Sequence, residues 1–186
     1  EMTSAGDLNG VKYRTVGLSA DLFKEMGAAV TIMGGGEIVP AMDRGLLDAA
    51  EFNNPSSDKL LGFADVSKDY MLQSYHQSAE SFEIVFNKAK FDALAPELQA
   101  IIKYASEASS ADMSWKAMDR YSTDLAALKE AGVKVHKTPD SVLQAQLAAW
   151  DKVLAAQSAE PFFAKVLESQ KAWVKRVVGA EFELEV

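Results

Sequence analysis

Between Val11 and Val16 the chain alternates: Val11, Tyr13 and Thr15 fall on one side and Lys12, Arg14 and Val16 on the other. That period of two predicts a strand. Ser19 is placed to cap a following helix, in which Leu22, Phe23 and Met26 share a face and which Gly27 ends. "AAVTIM" then predicts a second strand, and "GGG" at Gly34 to Gly36 a flexible turn. "EIVPAMDRGLLDA" predicts a short helix ending near Gly45, and "AAEF" a further strand. Strands alternating with short helices predict an α/β unit with a parallel or mixed sheet covered by helices.

From Asn53 the pattern is irregular through "NNPSSDKLLGFADVSKDY", until "SFEIVFNK" alternates Phe82, Ile84 and Phe86 with Glu83, Val85 and Asn87 and predicts another strand. From Phe91 to Ala131 the spacing becomes helical: Phe91, Leu94, Leu98, Ile101, Ala105, Ala108, Trp115, Met118, Leu125 and Leu128 form a stripe at three- and four-residue steps. Unbroken, that helix would run roughly 60 Å at 1.5 Å per residue, with "SSAD" at Ser109 to Asp112 as the candidate break. Such spacing suits core or partner packing. "VKVH" predicts a strand, and Thr138 with Pro139 a cap and first turn for a helix carrying Leu143, Leu147, Trp150 and Leu154. A last helix is expected from Pro161 with Trp173 and Val177, while the tail "EFELEV" is too short to assign. The expected organisation is 1–48, 49–90, 91–131 and 132–186: a β-α-β-α unit, a crossing segment, a long bridging helix, and a closing strand with helices.

Composition narrows the function. The 186 residues are 48% hydrophobic and 25% charged, which suits a folded domain with a sizeable core. A formal net charge of -8 argues against nucleic acid as a partner, because that binding draws on many Lys and Arg meeting phosphates. With no cysteine, disulfides and thiolate metal sites are excluded, though no compartment follows from this. No apolar run is long enough to span a bilayer, and the first residues do not resemble a signal peptide.

The chemical inventory is thin. The chain lacks HExxH, GxSxG and P-loop motifs, and its two histidines, His76 and His136, are far apart. Each reads as an ordinary surface or hydrogen-bonding histidine. Arg14 carries a planar fork of donors suited to a carboxylate. From position alone it is either a solvent-facing strand arginine paired with a neighbouring acid or a receptor for an anion. Glu51 is equally open, as a buried functional acid or a strand terminus.

A family resemblance bears on these choices. The stretch "LNGVKYRTVG...LFKEMGAAVTIMGGGEIVPAMDRGLLDAAEFNNP" resembles the solute-binding proteins of TRAP transporters. The resemblance rests on the order of its pieces: a G-x-K-x-R strand, a helix ending MGA, a G-E-I-x-x-A turn and helix, then D-A-A-E. "SYHQSAESFEIVFNK" followed by "LAPELQAIIKYA" is similar to that family's crossing strand and long helix, so the resemblance covers essentially the whole chain. It is nearest to the branch that binds 2-oxo acids and related organic acids.

The resemblance implies the C-terminal part of a two-lobed periplasmic binding fold that closes on its ligand, with a long helix bridging the lobes. It implies a non-enzymatic receptor that captures a small organic acid (2-oxo, hydroxy or sugar acid) in the periplasm and presents it to the TRAP membrane permease. Arg14 stands at the family's carboxylate-binding arginine. Glu51 and Phe52 stand where the branch reads A-E-W, and Tyr75, His76 and Gln77 where it often reads W-H-E, so Phe52 replaces an indole and Gln77 a carboxylate. The implied ligand-binding residues are Arg14, Glu51, Phe52 and Gln77, with Glu51 and Gln77 also placed to hold a sodium or calcium ion beside the ligand. Arg14→Ala is expected to abolish binding and leave the fold largely intact. The resemblance further implies a fragment without the family's N-terminal part, and an exposed apolar edge satisfied in a homo-oligomer. The alternative is a helical interaction domain that binds no small molecule.

Overall fold

The fold is taken from a computed structural model that describes residues 1–77 and 82–184. A 3-10 turn at Ala5–Leu8 leads into β1 (Lys12–Thr15), α1 (Leu18–Glu25), β2 (Ala29–Ile32), α2 (Gly35–Asp43) and β3 (Ala49–Ala50). These strands form a parallel sheet in the order β2-β1-β3, with Arg14 in register with Thr31 and Ala50. The expected β-α-β-α order is therefore present. Tyr13, Arg14 and Thr15 are all buried, as in a parallel strand covered on both faces. On one face Tyr13 packs with Leu8, Leu22, Phe23, Ala28 and Ala149; the second cluster is Ile38, Ala41, Leu47 and Phe63, with Ala50 and Phe52 against it.

Several local expectations are corrected. Gly17, not Ser19, is the N-cap of α1, because Ser19 is already helical and buried. The "GGG" stretch is not a separate turn: Gly34 caps α2, while Gly35 and Gly36 lie in its first turn. The irregular stretch after Asn53 holds three elements: α3 (Pro55–Leu61), α4 (Phe63–Val66) and β4 (Asp69–Met71). Asn54 starts α3 by accepting from the Ser56 and Ser57 amides, with Pro55 at the first helical position. Gly62, at φ 81, ends α3 and caps α4 at once, a left-handed turn that glycine takes without strain.

The strand expected over "SFEIVFNK" begins at Ser81, outside the described residues; 82–87 has no regular structure. No described strand pairs with it, and alternation without a neighbour to pair with does not make a ladder. α5 (Lys88–Asp92) and α6 (Pro96–Glu130) replace the single helix expected from Phe91. The interruption falls before Pro96, which disfavours helical geometry at Ala95, here at φ -59 and ψ 146. "SSAD" does not break α6. Ser106, Ser110 and Ser114 each donate to the carbonyl four residues back, so their hydroxyls are satisfied within the helix. At 35 residues, α6 is about 50 Å long.

Among the described residues, the buried side chains of α6 lie near its C-terminal end. Leu128 is buried, and Asp124 accepts from Lys59 of α3 at 2.8 Å. Leu98, Ile101, Tyr104, Trp115 and Met118 are exposed, so the stripe is not a core stripe within this chain. β5 (Lys134–His136) pairs in parallel with β4. α7 (Asp140–Gln157) follows, with Pro139 as its N-cap residue. Thr138 is not that cap: its amide donates to the Gln73 side chain at 2.9 Å and its hydroxyl to the Gln73 carbonyl at 2.8 Å. The buried face of α7 is Val142, Gln146, Ala149 and Val153, one residue away from the predicted stripe, whose Leu147 is exposed. α8 (Pro161–Leu184) includes the start of the unassigned tail, whose last two residues lie outside the described range. No described helix is long and apolar enough to cross a membrane.

Candidate functional site

Arg14 lies on the central strand, two residues before the chain leaves the sheet, and its register partner Ala50 is followed directly by Glu51 and Phe52. Parallel strands bring their carboxyl ends to one edge, so β1 and β3 deliver these residues together. The Arg14 and Glu51 side chains are 5% and 9% exposed and form a salt bridge, with Nη1 3.0 Å from Oε1. Nη1 also donates to the Glu51 carbonyl at 2.8 Å. Nε and Nη2 converge on one acceptor, the Met33 carbonyl, at 3.0 and 2.9 Å. Arg14 is thus paired with a neighbouring acid, as one reading of its position held, but it is buried instead of facing solvent.

Four donor contacts explain how a guanidinium is tolerated inside the sheet, since a buried charge needs both a counter-charge and saturated hydrogen bonds. They also tie the end of β2 to the end of β3, so Arg14 is structural as well as polar. Arg14→Ala therefore removes four contacts that hold the sheet edge and does not leave the fold intact, contrary to the expectation from sequence. The Phe52 ring lies 5.6 Å from the guanidinium carbon and stacks on Phe63 at 6.0 Å between centroids. A Cβ on Gly35 would come within 2.6 Å of that ring, so glycine at the start of α2 makes room for Phe52.

The second oxygen of Glu51 meets a residue the sequence did not single out for the site. His76 Nε2 is 3.3 Å from Glu51 Oε2, although His76 and Glu51 are separated by two helices and a strand. Segment 73–76 has no regular structure and is gripped from outside. Thr138 holds Gln73; on α7, the Gln146 side chain accepts from the Tyr75 amide at 2.7 Å, and Trp150 Nε1 donates to the Tyr75 carbonyl at 2.8 Å. The His76 ring lies 5.6 Å from Phe23. Gln146 was also missed. Its signal was a single amide at helical spacing among Val142, Ala149 and Val153. Gln77, next to His76, is solvent-exposed. His136 is away from this cluster and hydrogen-bonds Asp69 at 2.8 Å across β4 and β5, the ordinary role expected of it.

Two buried acidic groups flank Glu51. Burial, with the Glu51 charge second, pushes the Tyr13 phenol well above its usual range. The same two causes push Asp58 on α3 up to about 7. Asp58 Oδ1 has no hydrogen-bond partner among the described residues and lines a cavity of about 330 Å³ with Ala49, Ala50, Phe63 and Tyr70. Arg14 does not line it.

The expected cation site fits poorly. Both Glu51 oxygens face nitrogen partners, and among the described residues no group of three or more His, Asp or Glu side chains could hold a metal ion. Glu51 and one amide oxygen fall short of the six to eight oxygens calcium takes.

Comparison with known proteins gives this geometry a context. Residues 1–160 match the family described as bacterial extracellular solute-binding protein, family 7. The chain belongs to this family. A monocarboxylate 2-oxoacid-binding periplasmic protein of Nostoc sp. strain PCC 7120 is 29% identical over 95% of the chain and 49% of its own length. A TRAP periplasmic solute-binding protein of Colwellia psychrerythraea, solved with bound calcium and pyruvate, superposes with a TM-score of 0.81 at 27% identity. That match covers 98% of this chain and 58% of the other. Its counterpart from Pseudoalteromonas atlantica T6c, solved with sodium and pyruvate, also reaches 0.81, at 28% identity over 100% of this chain and 59% of the other. The chain thus spans about half the length of the relatives it matches, and its fold is that of TRAP binding-protein lobes, α/β with parallel sheets and mostly helical.

Proposed function

We propose that the complete protein is the periplasmic receptor of a TRAP transporter, that it captures a small organic acid through Arg14, and that it passes the acid unchanged to the membrane permease. One observation carries the reading: Arg14, Glu51, Phe52 and His76 converge at the carboxyl ends of β1 and β3, where α/β sheets place their ligands. Family membership and the acid-binding relatives support it. The remaining Nη2 hydrogen is the donor Arg14 can offer first. A ligand carboxylate that takes it and displaces Met33 or Glu51 gains the two parallel charge-assisted bonds that define both charge and orientation.

Glu51 then becomes the acceptor for a ligand hydroxyl or hydrate, Phe52 the apolar wall beside the acid, and Gln77 an amide partner at the rim. A cation accompanying the ligand would require Glu51 to turn from Arg14 and would draw most of its oxygens from the ligand and from residues beyond the described ones. The exposed apolar side chains of α6 and α8, Trp115, Met118 and Trp173 among them, favour a second role in protein contacts, including a homo-oligomer.

Calorimetric titration of the complete protein against 2-oxo, hydroxy, dicarboxylic and sugar acids tests the reading, with Arg14→Lys as the control. Lysine keeps the charge and loses the fork. Stoichiometric binding by the parent and at least a tenfold loss in the variant are expected. A folded parent that binds none of the acids would move the assignment to the interaction role, and ligand consumption would indicate catalysis.

A further inference from the structure

The contacts around His76 fix which of its nitrogens carries the proton. Gln146 is buried on α7, and its oxygen is committed as an acceptor to the Tyr75 amide at 2.7 Å. Its nitrogen is therefore the end that faces Ser74, donating to Ser74 Oγ at 2.8 Å. Ser74 Oγ also accepts from the His76 backbone amide at 3.3 Å. With both lone pairs of the hydroxyl occupied, its single proton has one described partner left, the His76 Nδ1 that lies in hydrogen-bond contact with it. A donor there requires Nδ1 to be bare, so the neutral ring carries its proton on Nε2. That nitrogen faces Glu51 Oε2.

We propose that Gln146 is a positioning residue for the acid-binding site: through Ser74 it locks His76 as the Nε2–H tautomer, which holds the Glu51 carboxylate toward Arg14. The relay runs from the Tyr75 amide through Gln146, Ser74 and His76 to Glu51 and Arg14, and each member donates to the next until Glu51, which accepts from both sides. An amide is required at position 146 because it must accept on one side and donate on the other. A carboxylate of the same shape accepts on both. In Gln146→Glu the Ser74 proton turns to the new carboxylate, and Ser74 Oγ becomes an acceptor that calls for a proton on His76 Nδ1. Where it concerns ligand binding, the proposal rests on the organic-acid reading; the tautomer itself does not.

The test is long-range proton–nitrogen NMR of the complete protein at neutral pH without ligand, with the His76 signals assigned from their loss in His76→Asn. The expected result is one pyrrole-type nitrogen at Nε2 and one pyridine-type nitrogen at Nδ1. In Gln146→Glu, Nδ1 is expected to gain a proton. If that variant does not fold, Ser74→Ala serves: Glu51 still keeps the proton on Nε2, but Nδ1 loses its donor and its pyridine-type signal shifts to that of a nitrogen without a hydrogen bond. A proton on Nδ1 in the parent, or an Nδ1 signal unchanged in the folded variants, overturns the relay. Affinity for whichever acid the parent binds is expected to fall about tenfold in Gln146→Glu, the scale of one hydrogen bond. If the Nδ1 signal changes as expected in the variant and no acid binds to the parent, the relay stands and the receptor reading fails; if acids bind with unchanged affinity in the variant, the receptor stands and the relay's part in it fails.

Discussion

Replacing Arg14 by Met separates a buried structural guanidinium from a strand-surface one. Methionine keeps most of the unbranched stem, so packing against Phe52 changes little. What disappears is the charge and its four contacts, two to the Met33 carbonyl and two to Glu51. The Glu51 carboxylate, with a side chain 9% exposed, is left with His76 as its described partner. Removing one member of a buried pair costs about 3–5 kcal/mol, because the survivor stays desolvated without its counter-charge. The two stranded carbonyls fall within that range and are not added to it. Against the 5–15 kcal/mol of a typical domain, such a loss takes a large share. Urea unfolding of the chain at neutral pH, followed by far-UV circular dichroism, measures it as a lower midpoint at unchanged slope. Glu51→Gln strands the cation instead and is expected to cost a similar amount, while the double variant falls short of the sum by about 1–3 kcal/mol. A loss below about 1 kcal/mol in Arg14→Met, the scale of an exposed ion pair, would refute the buried pairing.

Asp58 predicts a pH dependence. Its carboxyl titrates at 3.8 in the unfolded chain and at about 7 in the folded one, so between those values only the unfolded state sheds the proton, and stability falls as pH rises. The full penalty, present above pH 7, reaches about 4 kcal/mol at 1.36 kcal/mol per unit. Asp58→Asn is expected to stabilise the chain at pH 8 and to leave it nearly unchanged below pH 4; equal effects at both would contradict this in paired urea titrations. Gly35→Ala forces the Phe52 ring from its place and is expected to cost about 1–3 kcal/mol, with weaker acid binding in the complete protein. Asn54→Ala removes the cap of α3 and is expected to cost about 1 kcal/mol without altering binding.

Legibility in the sequence followed range. The period-two run at Val11 to Val16 and the glycine at position 27 reported local backbone preference, and both survive in β1 and at the end of α1. The stretch after Asn53 carried its own signals, Asn54-Pro55 for a helix start and Gly62 for a joint, but its helices are too short to show a periodic face. The alternation at Phe82 to Asn87 misled because a strand is defined by a neighbour, which alternation cannot supply. In the site, Arg14, Glu51 and Phe52 were reached through the family motif, and the sheet register then brings them together. His76 stands in the second family motif but received no role there, and Gln146 stands in none, because their parts come from contacts 25 and 72 residues away in sequence. On α7, placing the apolar stripe one residue off moved Gln146 from the buried face to the solvent face, and with it the relay disappeared from view.

In the proposed function Arg14 is the anchor of the ligand's carboxylate. A crystal structure of the complete protein with a bound acid from the titration tests it directly. A ligand carboxylate is expected within hydrogen-bond distance of the Arg14 guanidinium, about 2.7–2.9 Å, with Phe52 beside the ligand. A ligand seated elsewhere, with Arg14 still spent on Met33 and Glu51, would contradict it and leave Arg14 a structural strut.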